Sequence, residues 1–296
     1  TVIVNYVATD DCGQSDQCQS FFDVAPAPVL SVSCSYNVDL PACTPLTDIQ
    51  TAYIAWINGF SFSGGCNATD NIISVPDLPM NGDCSGVALH FNYLATDDCG
   101  QSDMCPSDFI VAPAPAVQLN CPAAVTEVAC QTQSAIDTKF NNWLNSVTYS
   151  GGCNLFVSND ASGAPLACGG SVTVTWTAQS NCEPDVTCSS TFEVLPAPVL
   201  SVSCPAPVNI TACEDQSVID SQFYSWIAQF DYEGGCNTQV TNLAGFTPPD
   251  ACTGGTVTVN YMATDDCGQH DECESFFDVA PAPAVQLNCP AAVTEV

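Results

Sequence analysis

The stretch ATDDCGQSDQCQSFFDVAPAP, residues 8–28, decides how this chain is organised, because close copies of it return along the sequence. ATDDCGQSDMC occupies 95–105, ATDDCGQHDEC occupies 263–273, and a divergent copy, AQSNCEPDVTC, occupies 178–188. After each copy come a proline step, VAPAP or VLPAP, and then the cysteine that opens the next unit. Similarity that returns at a fixed interval indicates a tandem array.

The opening cysteines define the repeats. They are 87, 83 and 85 residues apart, at Cys34, Cys121, Cys204 and Cys289. We therefore predict the end of one repeat over 1–28, three complete repeats over 29–115, 116–198 and 199–283, and the opening strand of a further repeat over 284–296. Both ends fall inside a repeat, so we expect a segment of a longer chain. The complete repeats are called repeats 1, 2 and 3 below.

The charge balance excludes some partners. Net charge is −31, and Lys139 is the one Lys or Arg residue. Binding to nucleic acid or to an anionic membrane needs basic side chains, so neither is expected. With 46% hydrophobic and only 11% charged residues, the chain does not have the composition of a disordered acidic tail. No membrane-spanning stretch is visible in the sequence.

The cysteines predict a disulfide framework. The chain has 21 cysteines, and each complete repeat carries six at matching positions. Six cysteines in a domain of about 85 residues are typical of an oxidising, extracellular compartment. Zinc is the alternative, but the CxxC pairs that zinc sites use do not occur.

Hydrophobic spacing predicts strands around one helix. Alternation at the start of each repeat, as in Leu30, Val32 and Cys34, predicts a strand whose cysteine faces the core. A longer strand ending in each ATD turn and a closing strand with an inward cysteine are predicted in the same way. Spacing at i, i+4, i+7, i+8 and i+11 predicts a helix with Ser134 as its N-cap, carried by Ile136, Phe140, Trp143, Leu144 and Val147 in repeat 2.

These elements favour a mainly β fold, a tandem array of β-sandwich domains that each carry one inserted short helix. The helical Trp is interpreted as a core residue, with stacking on a ligand as the alternative. The proline steps are predicted to be semi-rigid joints, at about Pro28, Pro115, Pro198 and Pro283.

The strand, the ATD turn with its glycine and cysteine, and the aromatic closing strand resemble the HYR family of immunoglobulin-like extracellular repeats. The helix, the SGGCN motif and the six cysteines resemble the repeats of giant Bacteroidota cell-surface adhesins, including those used in gliding motility. The resemblance covers the whole sequence, although repeat 2 has SNCEP in place of the DDCGQ turn. It implies an immunoglobulin-like fold, type IX secretion, a cell-surface filament and adhesion to substrata.

Six cysteines allow 15 connectivities in each repeat, and two schemes compete among them. Inward-facing cysteines on the first and last strands predict Cys34–Cys105, Cys121–Cys188 and Cys204–Cys273. An immunoglobulin-like path would bring the third cysteine to the fifth and the second to the fourth. It thus implies Cys66–Cys99, Cys153–Cys182, Cys236–Cys267, Cys43–Cys84, Cys130–Cys168 and Cys213–Cys252. The competing scheme is sequential: Cys34–Cys43, Cys66–Cys84 and Cys99–Cys105.

The sequence leaves three classes of function to compare. The first is structural: stalk repeats of a surface adhesin, whose partners are the neighbouring repeats and, through regions outside this sequence, an external surface or polysaccharide. The second is a multivalent glycan-binding array that uses variable loops and Trp. An enzyme is not expected, because His90 and His270 have no counterparts in the other repeats and each cysteine has a structural role.

The aspartates of the turns predict a calcium site. They cluster within seven residues in three copies of the turn: Asp10, Asp11 and Asp16; Asp97, Asp98 and Asp103; Asp265, Asp266 and Asp271. Calcium binds six to eight such oxygens in flexible geometry. The alternative is that these aspartates form the turn itself by accepting hydrogen bonds from the backbone. No other cofactor is expected.

Overall fold

The structure is a computed structural model that describes residues 1–292. Its first element is a hairpin of β1 (Val2–Thr9) and β2 (Ser15–Phe22), paired antiparallel with Tyr6 opposite Cys18. Both strands are exposed along their whole length. The hairpin corresponds to the last two strands of a complete repeat.

Repeat 1 has two sheets and a helix. Its elements are β3 (Ser31–Ser33), β4 (Val38–Leu40), α1 (Leu46–Asn58), β5 (Ser61–Ser63), β6 (Thr69–Asp70), the short α2 (Gly82–Ser85), β7 (Val87–Thr96) and β8 (Ser102–Val111). One sheet has the order β4-β8-β7-β6, in which only β4 and β8 are parallel, and the other pairs β3 with β5.

Repeats 2 and 3 have the same order. Repeat 2 contains β9 (Gln118–Asn120), β10 (Val125–Glu127), α3 (Gln133–Leu144), β11 (Thr148–Ser150), β12 (Phe156–Asn159), β13 (Gly170–Gln179) and β14 (Val186–Val194). Repeat 3 contains β15 (Ser201–Ser203), β16 (Val208–Ile210), α4 (Gln216–Ile227), β17 (Asp231–Glu233), β18 (Gln239–Val240), β19 (Gly255–Thr264) and β20 (His270–Val279). Four-stranded sheets β10-β14-β13-β12 and β16-β20-β19-β18 are accompanied by the pairs β11-β9 and β15-β17. The predicted fold class, mainly β with immunoglobulin-like domains that each carry a helix, is confirmed.

The core of each repeat lies between its helix and its four-stranded sheet. In repeat 1, Trp56 of α1 packs in a tilted arrangement against Phe109 of β8, with ring centroids 5.7 Å apart. The Trp226–Phe277 pair of repeat 3 has the same separation. Offset aromatic packing of this kind dominates the energetics of a small core. The prediction that the helical Trp is a core residue holds in all three repeats, since Trp56, Trp143 and Trp226 are buried.

Two details differ from the sequence predictions. The helix of repeat 2 begins two residues earlier than predicted, and Thr132 is its N-cap, because its hydroxyl accepts a hydrogen bond from Ala135 N–H at 3.3 Å. Residues 284–292 contain no strand, and 293–296 lie outside the described residues. The opening strands of repeats 1–3 each pair with the short strand after the helix, and residues 284–292 pair with no strand in the described part of the chain.

The chain divides into two compact bodies. One comprises residues 1–119, 149–157 and 178–186, and the other comprises the remaining residues. The division runs through repeat 2: its SGGC and SNCEP turns belong to the same body as repeat 1. The repeat boundaries given above stay a prediction.

Candidate functional site: the joints between repeats

Two disulfides cross the joint between repeats 1 and 2. Cys43 bonds Cys153 with their Cα atoms 5.3 Å apart, and Cys84 bonds Cys182 at 5.2 Å. The second and fourth cysteines of repeat 1 therefore bond the third and fifth cysteines of repeat 2. A cleft beside the two bonds is lined by Thr44 and other residues of both repeats.

The joint between repeats 2 and 3 follows the same rule. Cys130 bonds Cys236 with Cα atoms 4.9 Å apart, and Cys168 bonds Cys267 at 5.4 Å. The second cysteine has a positive φ wherever it occurs, 65° at Cys43, 63° at Cys130 and 71° at Cys213. Residues other than glycine adopt this conformation uncommonly. The same backbone geometry therefore presents this cysteine in each repeat.

The disulfides within each repeat form as predicted from the sequence. The disulfides between repeats replace the other predicted pairs. The first and last strands are joined by Cys34–Cys105, Cys121–Cys188 and Cys204–Cys273. The predictions that paired the second cysteine with the fourth, or the third with the fifth, inside one repeat are wrong: Cys43–Cys84, Cys130–Cys168, Cys153–Cys182 and Cys236–Cys267 do not form. The pairs Cys66–Cys99 and Cys213–Cys252 do not form either, and all four thiols are free. The sequential scheme is wrong as well.

The physical reason is that neighbours in space need not be partners. The third and fifth cysteines do come together, as predicted: the sulfur atoms of Cys236 and Cys267 lie within 4.8 Å of each other. Each of them, however, meets a cysteine of the preceding repeat at bonding distance. Six cysteines in each repeat are compatible both with pairing inside the repeat and with pairing between neighbouring repeats. The tandem arrangement is the feature of the sequence that makes pairing between repeats possible.

The free cysteines fit this pattern. Cys66 and Cys99 hold the positions that are bonded in repeats 2 and 3, and their thiols share a hydrogen bond. That bond, burial and the negative charges of Asp97 and Asp98 raise the pKa of the Cys99 thiol. Among the described residues seven cysteines are free: Cys12, Cys18, Cys66, Cys99, Cys213, Cys252 and Cys289.

Asp97 joins the two turns that carry the third and fifth cysteines. Its Oδ1 accepts hydrogen bonds from the N–H groups of Cys99 at 3.0 Å and Gln101 at 2.7 Å. Its Oδ2 accepts from Cys66 N–H and from Gln101 Nε2, both at 3.0 Å. Asp265 makes the corresponding four bonds in repeat 3 at 2.7–3.0 Å. Although burial acts to raise the pKa of both carboxyls, these donors lower it below the ordinary value of 3.8.

Repeat 2 shows which part of the turn its structure requires. Ser180 stands where repeat 1 has Asp97, and its Oγ accepts hydrogen bonds from Cys153 N–H at 3.0 Å and Cys182 N–H at 3.4 Å. Glu183, at the position of Gly100, accepts from Val117 N–H at 2.9 Å, as Gln101 accepts from Leu30 N–H in repeat 1. A hydroxyl group therefore replaces the carboxylate as the acceptor that joins the same two turns.

The same turns hold the proline step. Gln101 donates from Nε2 to Pro28 O at 3.0 Å and accepts from Leu30 N–H at 3.2 Å. Gly65 N–H donates to Pro28 O at 3.1 Å. Gln269 holds Pro198 and Leu200 in the same way, at 2.8 and 3.0 Å. The backbone of each joint is thus fixed by the repeat that follows it.

The preceding repeat holds the other side of the step. Ala114 N–H donates to the carbonyl of Cys84 at 2.9 Å, and Ala197 N–H donates to that of Cys168 at 3.0 Å. Both acceptors belong to the fourth cysteine, which also carries a disulfide to the next repeat. Backbone hydrogen bonds and disulfides therefore meet at each joint.

The predicted calcium ligands mostly serve the turns. Asp98 accepts from Asn67 Nδ2 at 3.0 Å, and Asp103 accepts from Val32 N–H at 3.0 Å. Asp266 and Asp271 do the same in repeat 3. In the hairpin, Asp10 and Asp16 accept backbone hydrogen bonds and Asp11 is exposed. These contacts support the turn interpretation, and calcium binding stays a prediction.

Thermal melts with calcium and with a chelator test calcium binding. A calcium-dependent shift in melting temperature should be confined to repeats that carry the DDCG turn.

Other candidate sites are not assembled. Cys236, Asp265 and Cys267 lie close enough to hold a metal, but both sulfur atoms are already in disulfides. His90 contacts Asp108 at 2.6 Å on the surface, and His270 lies 3.8 Å from Glu272. The two histidines belong to different repeats, and each of these contacts is with a carboxylate. In the described part of the chain, no helix has both the length and the apolar character to cross a membrane.

Comparison with known proteins gives structural likeness only. No protein-family model matches the sequence, and no curated protein matches it. Similar solved structures include protocadherin gamma B2 extracellular cadherin domains 1–5, at 10% identity and TM-score 0.33, with 95% of this chain and 66% of that one covered. A second is the titin I-band fragment I67–I69, at 10% identity and TM-score 0.25, with 87% of this chain and 100% of that one covered. A third is Drosophila N-cadherin EC1-4, at 8% identity and TM-score 0.26, with 94% of this chain and 83% of that one covered. This chain thus spans about two thirds of the length of the protocadherin fragment. Such low TM-scores carry no argument about function.

The sheets and the joints define the class of this chain directly. It is a tandem series of immunoglobulin-like β domains in which one disulfide closes each complete repeat and two disulfides cross each joint between complete repeats. Seven disulfides are typical of a protein that folds in an oxidising, extracellular compartment.

Proposed function

We propose that these repeats form the stalk of a long extracellular adhesin, in which they hold a distal binding element away from the cell. The observation that carries the proposal is the pair of disulfides across each joint between complete repeats. Such bonds restrict the motion of neighbouring repeats, whereas a flexible tether would leave the repeats free to move. Adhesion, surface attachment, type IX secretion and gliding are the finer parts of this proposal, and they rest on the sequence resemblance.

The disulfides within repeats limit how far such a stalk can be stretched. Each bypasses most of its repeat, with sequence separations of 71, 67 and 69 residues that amount to 207. Between repeats the tension passes through 16 residues, from Cys105 to Cys121 and again from Cys188 to Cys204. Pulling on the chain ends therefore cannot extend the residues between each bonded pair of cysteines while these disulfides are intact.

Single-molecule stretching tests the proposal. Chains held by both ends in oxidising buffer should lack the long extension that full unfolding would release. Adding a reductant should release about 700 Å of further contour length, at roughly 3.5 Å for each bypassed residue. Equal contour lengths in both buffers would contradict the proposal that the disulfides carry the tension.

The alternative, a glycan-binding array, receives no support from the tryptophans. Trp56, Trp143, Trp176 and Trp226 are all buried, so none of them presents a ring face to a sugar. The role considered for the helical Trp in binding is therefore not available in this conformation.

A further inference from the structure

The proline step is the exposed backbone of the joint. Between repeats 1 and 2, Pro113, Pro115 and Ala116 are exposed. Exposed connections of small residues are where proteases cut folded proteins most readily. In an ordinary tandem array, one cut at such a step separates the chain into two pieces.

Here the step is not the sole covalent connection. Cys43 and Cys84 precede it in sequence, and their partners Cys153 and Cys182 follow it. A cut between 112 and 117 therefore leaves both disulfides spanning the break. The second joint has the same arrangement, since Cys130 and Cys168 precede the step at 195–198 and Cys236 and Cys267 follow it.

We propose that each joint is a triple covalent connection, one backbone and two disulfides, that keeps neighbouring repeats joined after the backbone of the proline step is hydrolysed. Hydrolysis adds one water to the amide and leaves a carboxylate and an amine, while the two sulfur–sulfur bonds are unchanged. Resistance to severing is then a property of the joints, and it is lost only when both disulfides are also reduced. The inference goes beyond the stalk role and holds whether or not the chain belongs to an adhesin.

The remaining contacts of the joint favour retention of the native arrangement after a cut. On one side of the step, Ala114 N–H bonds the Cys84 carbonyl at 2.9 Å. On the other side, Val117 N–H bonds Glu183 at 2.9 Å and Gly152 N–H bonds the Pro115 carbonyl at 2.7 Å. After a cut between 116 and 117, the new carboxyl end stays bonded to repeat 1 through Ala114, and the new amino end stays beside Glu183 of repeat 2 through Val117.

The composition of the chain offers a clean test. Lys139 is the one Lys or Arg residue, so trypsin has one natural site, in α3. The variant Lys139→Gln with Ala116→Lys moves that site to the exposed end of the proline step. After trypsin, denaturing electrophoresis without reductant should show one species at the mass of the uncut chain, 30.9 kDa. With reductant it should show two fragments, residues 1–116 and 117–296.

Matched cysteine variants supply the controls. In the same background, replacing the pair Cys43→Ser and Cys153→Ser, or the pair Cys84→Ser and Cys182→Ser, should leave the cut chain joined by the other bond. Replacing all four should let the fragments separate without reductant. Separation of the parent variant without reductant, or persistence of the four-fold variant as one species, would overturn the proposal. Mass spectrometry of the cut, unreduced parent must also find Cys43 linked to Cys153, and this readout does not depend on whether the cysteine variants fold.

Discussion

Asp97 and Asp265 explain, at the scale of single residues, why the DDC turn recurs. Each carboxylate accepts four hydrogen bonds from two separate turns, and the two turns carry the third and fifth cysteines. The sequence offers the turn role of these aspartates as the alternative to calcium, because Asx side chains bond backbone N–H groups two residues on. It could not show that the second oxygen reaches a turn 31 residues away in sequence, at Cys66. That contact depends on the pairing of β6 with β7, which places Thr69 opposite Thr96.

The pH dependence of the fold follows from these carboxylates. Since their pKa is lowered in the folded state, their charged form stabilises the fold above the ordinary value of 3.8, and this contribution is lost as pH falls from about 4 through the lower folded pKa. We expect the double variant Asp97→Asn and Asp265→Asn to melt at lower temperature than the wild type above pH 4. The difference in melting temperature between variant and wild type should disappear towards pH 2, and thermal melts at several pH values measure it.

The matched control for this experiment changes Asp98 and Asp266 to Asn. Each of these side chains accepts one hydrogen bond from an exposed Asn side chain. The control removes the same charge, and it therefore corrects for relief of repulsion in a chain of net charge −31. A gap of the same size and pH profile in the control would argue against a specific role for Asp97 and Asp265.

Gly64 and Gly100 form a matched pair for backbone packing. Both have a positive φ, +80° and +83°, so alanine brings similar conformational strain at either site, about 1–2 kcal/mol. A Cβ on Gly64 would lie 1.9 Å from Val29 O, whereas a Cβ on Gly100 would meet nothing within 4 Å. We expect Gly64→Ala to destabilise repeat 1 well beyond Gly100→Ala, because the proline step would have to move. Denaturant titration measures both, and equal losses would refute the close approach.

At the scale of elements, the helix and the sheet are connected by both packing and a hydrogen bond. Trp56 of α1 donates from Nε1 to Ser107 Oγ of β8 at 2.9 Å, and both side chains are buried. In repeat 3 the equivalent atoms, Trp226 Nε1 and Ser275 Oγ, have no hydrogen-bond partner. The same residues thus make a bond in one repeat that is absent in the other.

This difference predicts unequal effects of one substitution. Ser107→Ala should destabilise repeat 1 by about 1–3 kcal/mol, because it leaves a buried indole N–H without an acceptor. Ser275→Ala removes an unbonded hydroxyl, so we expect it to be neutral or slightly stabilising. Chemical denaturation of both variants provides the comparison. Equal destabilisation by the two variants is the result that this interpretation does not allow.

Most elements could be predicted from the sequence because their hydrophobic spacing reports which face is buried. The helices of all three repeats and the long strand β19, with Val259, Tyr261 and Ala263 buried, appear as expected. The helix start in repeat 2 was misplaced because Thr132 and Ser134 are both good N-cap residues, and the hydrogen bond to Ala135 decides between them. Parallel pairing of β4 with β8 has no local signal, since it joins residues about 70 positions apart.

At the scale of the whole molecule, the disulfide pattern is the feature that sequence reasoning missed. The sequence indicates which cysteines of a repeat come together, but it favours pairing them inside that repeat. Nothing in one repeat distinguishes a partner 33 residues away from one in the next repeat. The choice depends on which loop the neighbouring repeat brings close, and that is a property of the joint.

Removing one joint disulfide tests its contribution to stability. Cys43→Ser with Cys153→Ser should lower the free energy of unfolding by about 2–4 kcal/mol, the usual contribution of a disulfide. Cys213→Ser changes a thiol that is already free and should leave stability unchanged. Thermal and denaturant unfolding under oxidising conditions give both values. A loss in the Cys213 variant as large as in the double variant would contradict the bonding pattern.

Peptide mapping without reduction tests the central claim most directly. The oxidised chain would be digested at acidic pH, where thiol exchange is slow because the thiolate is scarce, and the linked peptides identified by mass spectrometry. The account predicts peptides that link Cys43 to Cys153, Cys84 to Cys182, Cys130 to Cys236 and Cys168 to Cys267. Peptides that link Cys43 to Cys84 and Cys153 to Cys182 instead would show that each repeat is closed on itself, and would contradict it.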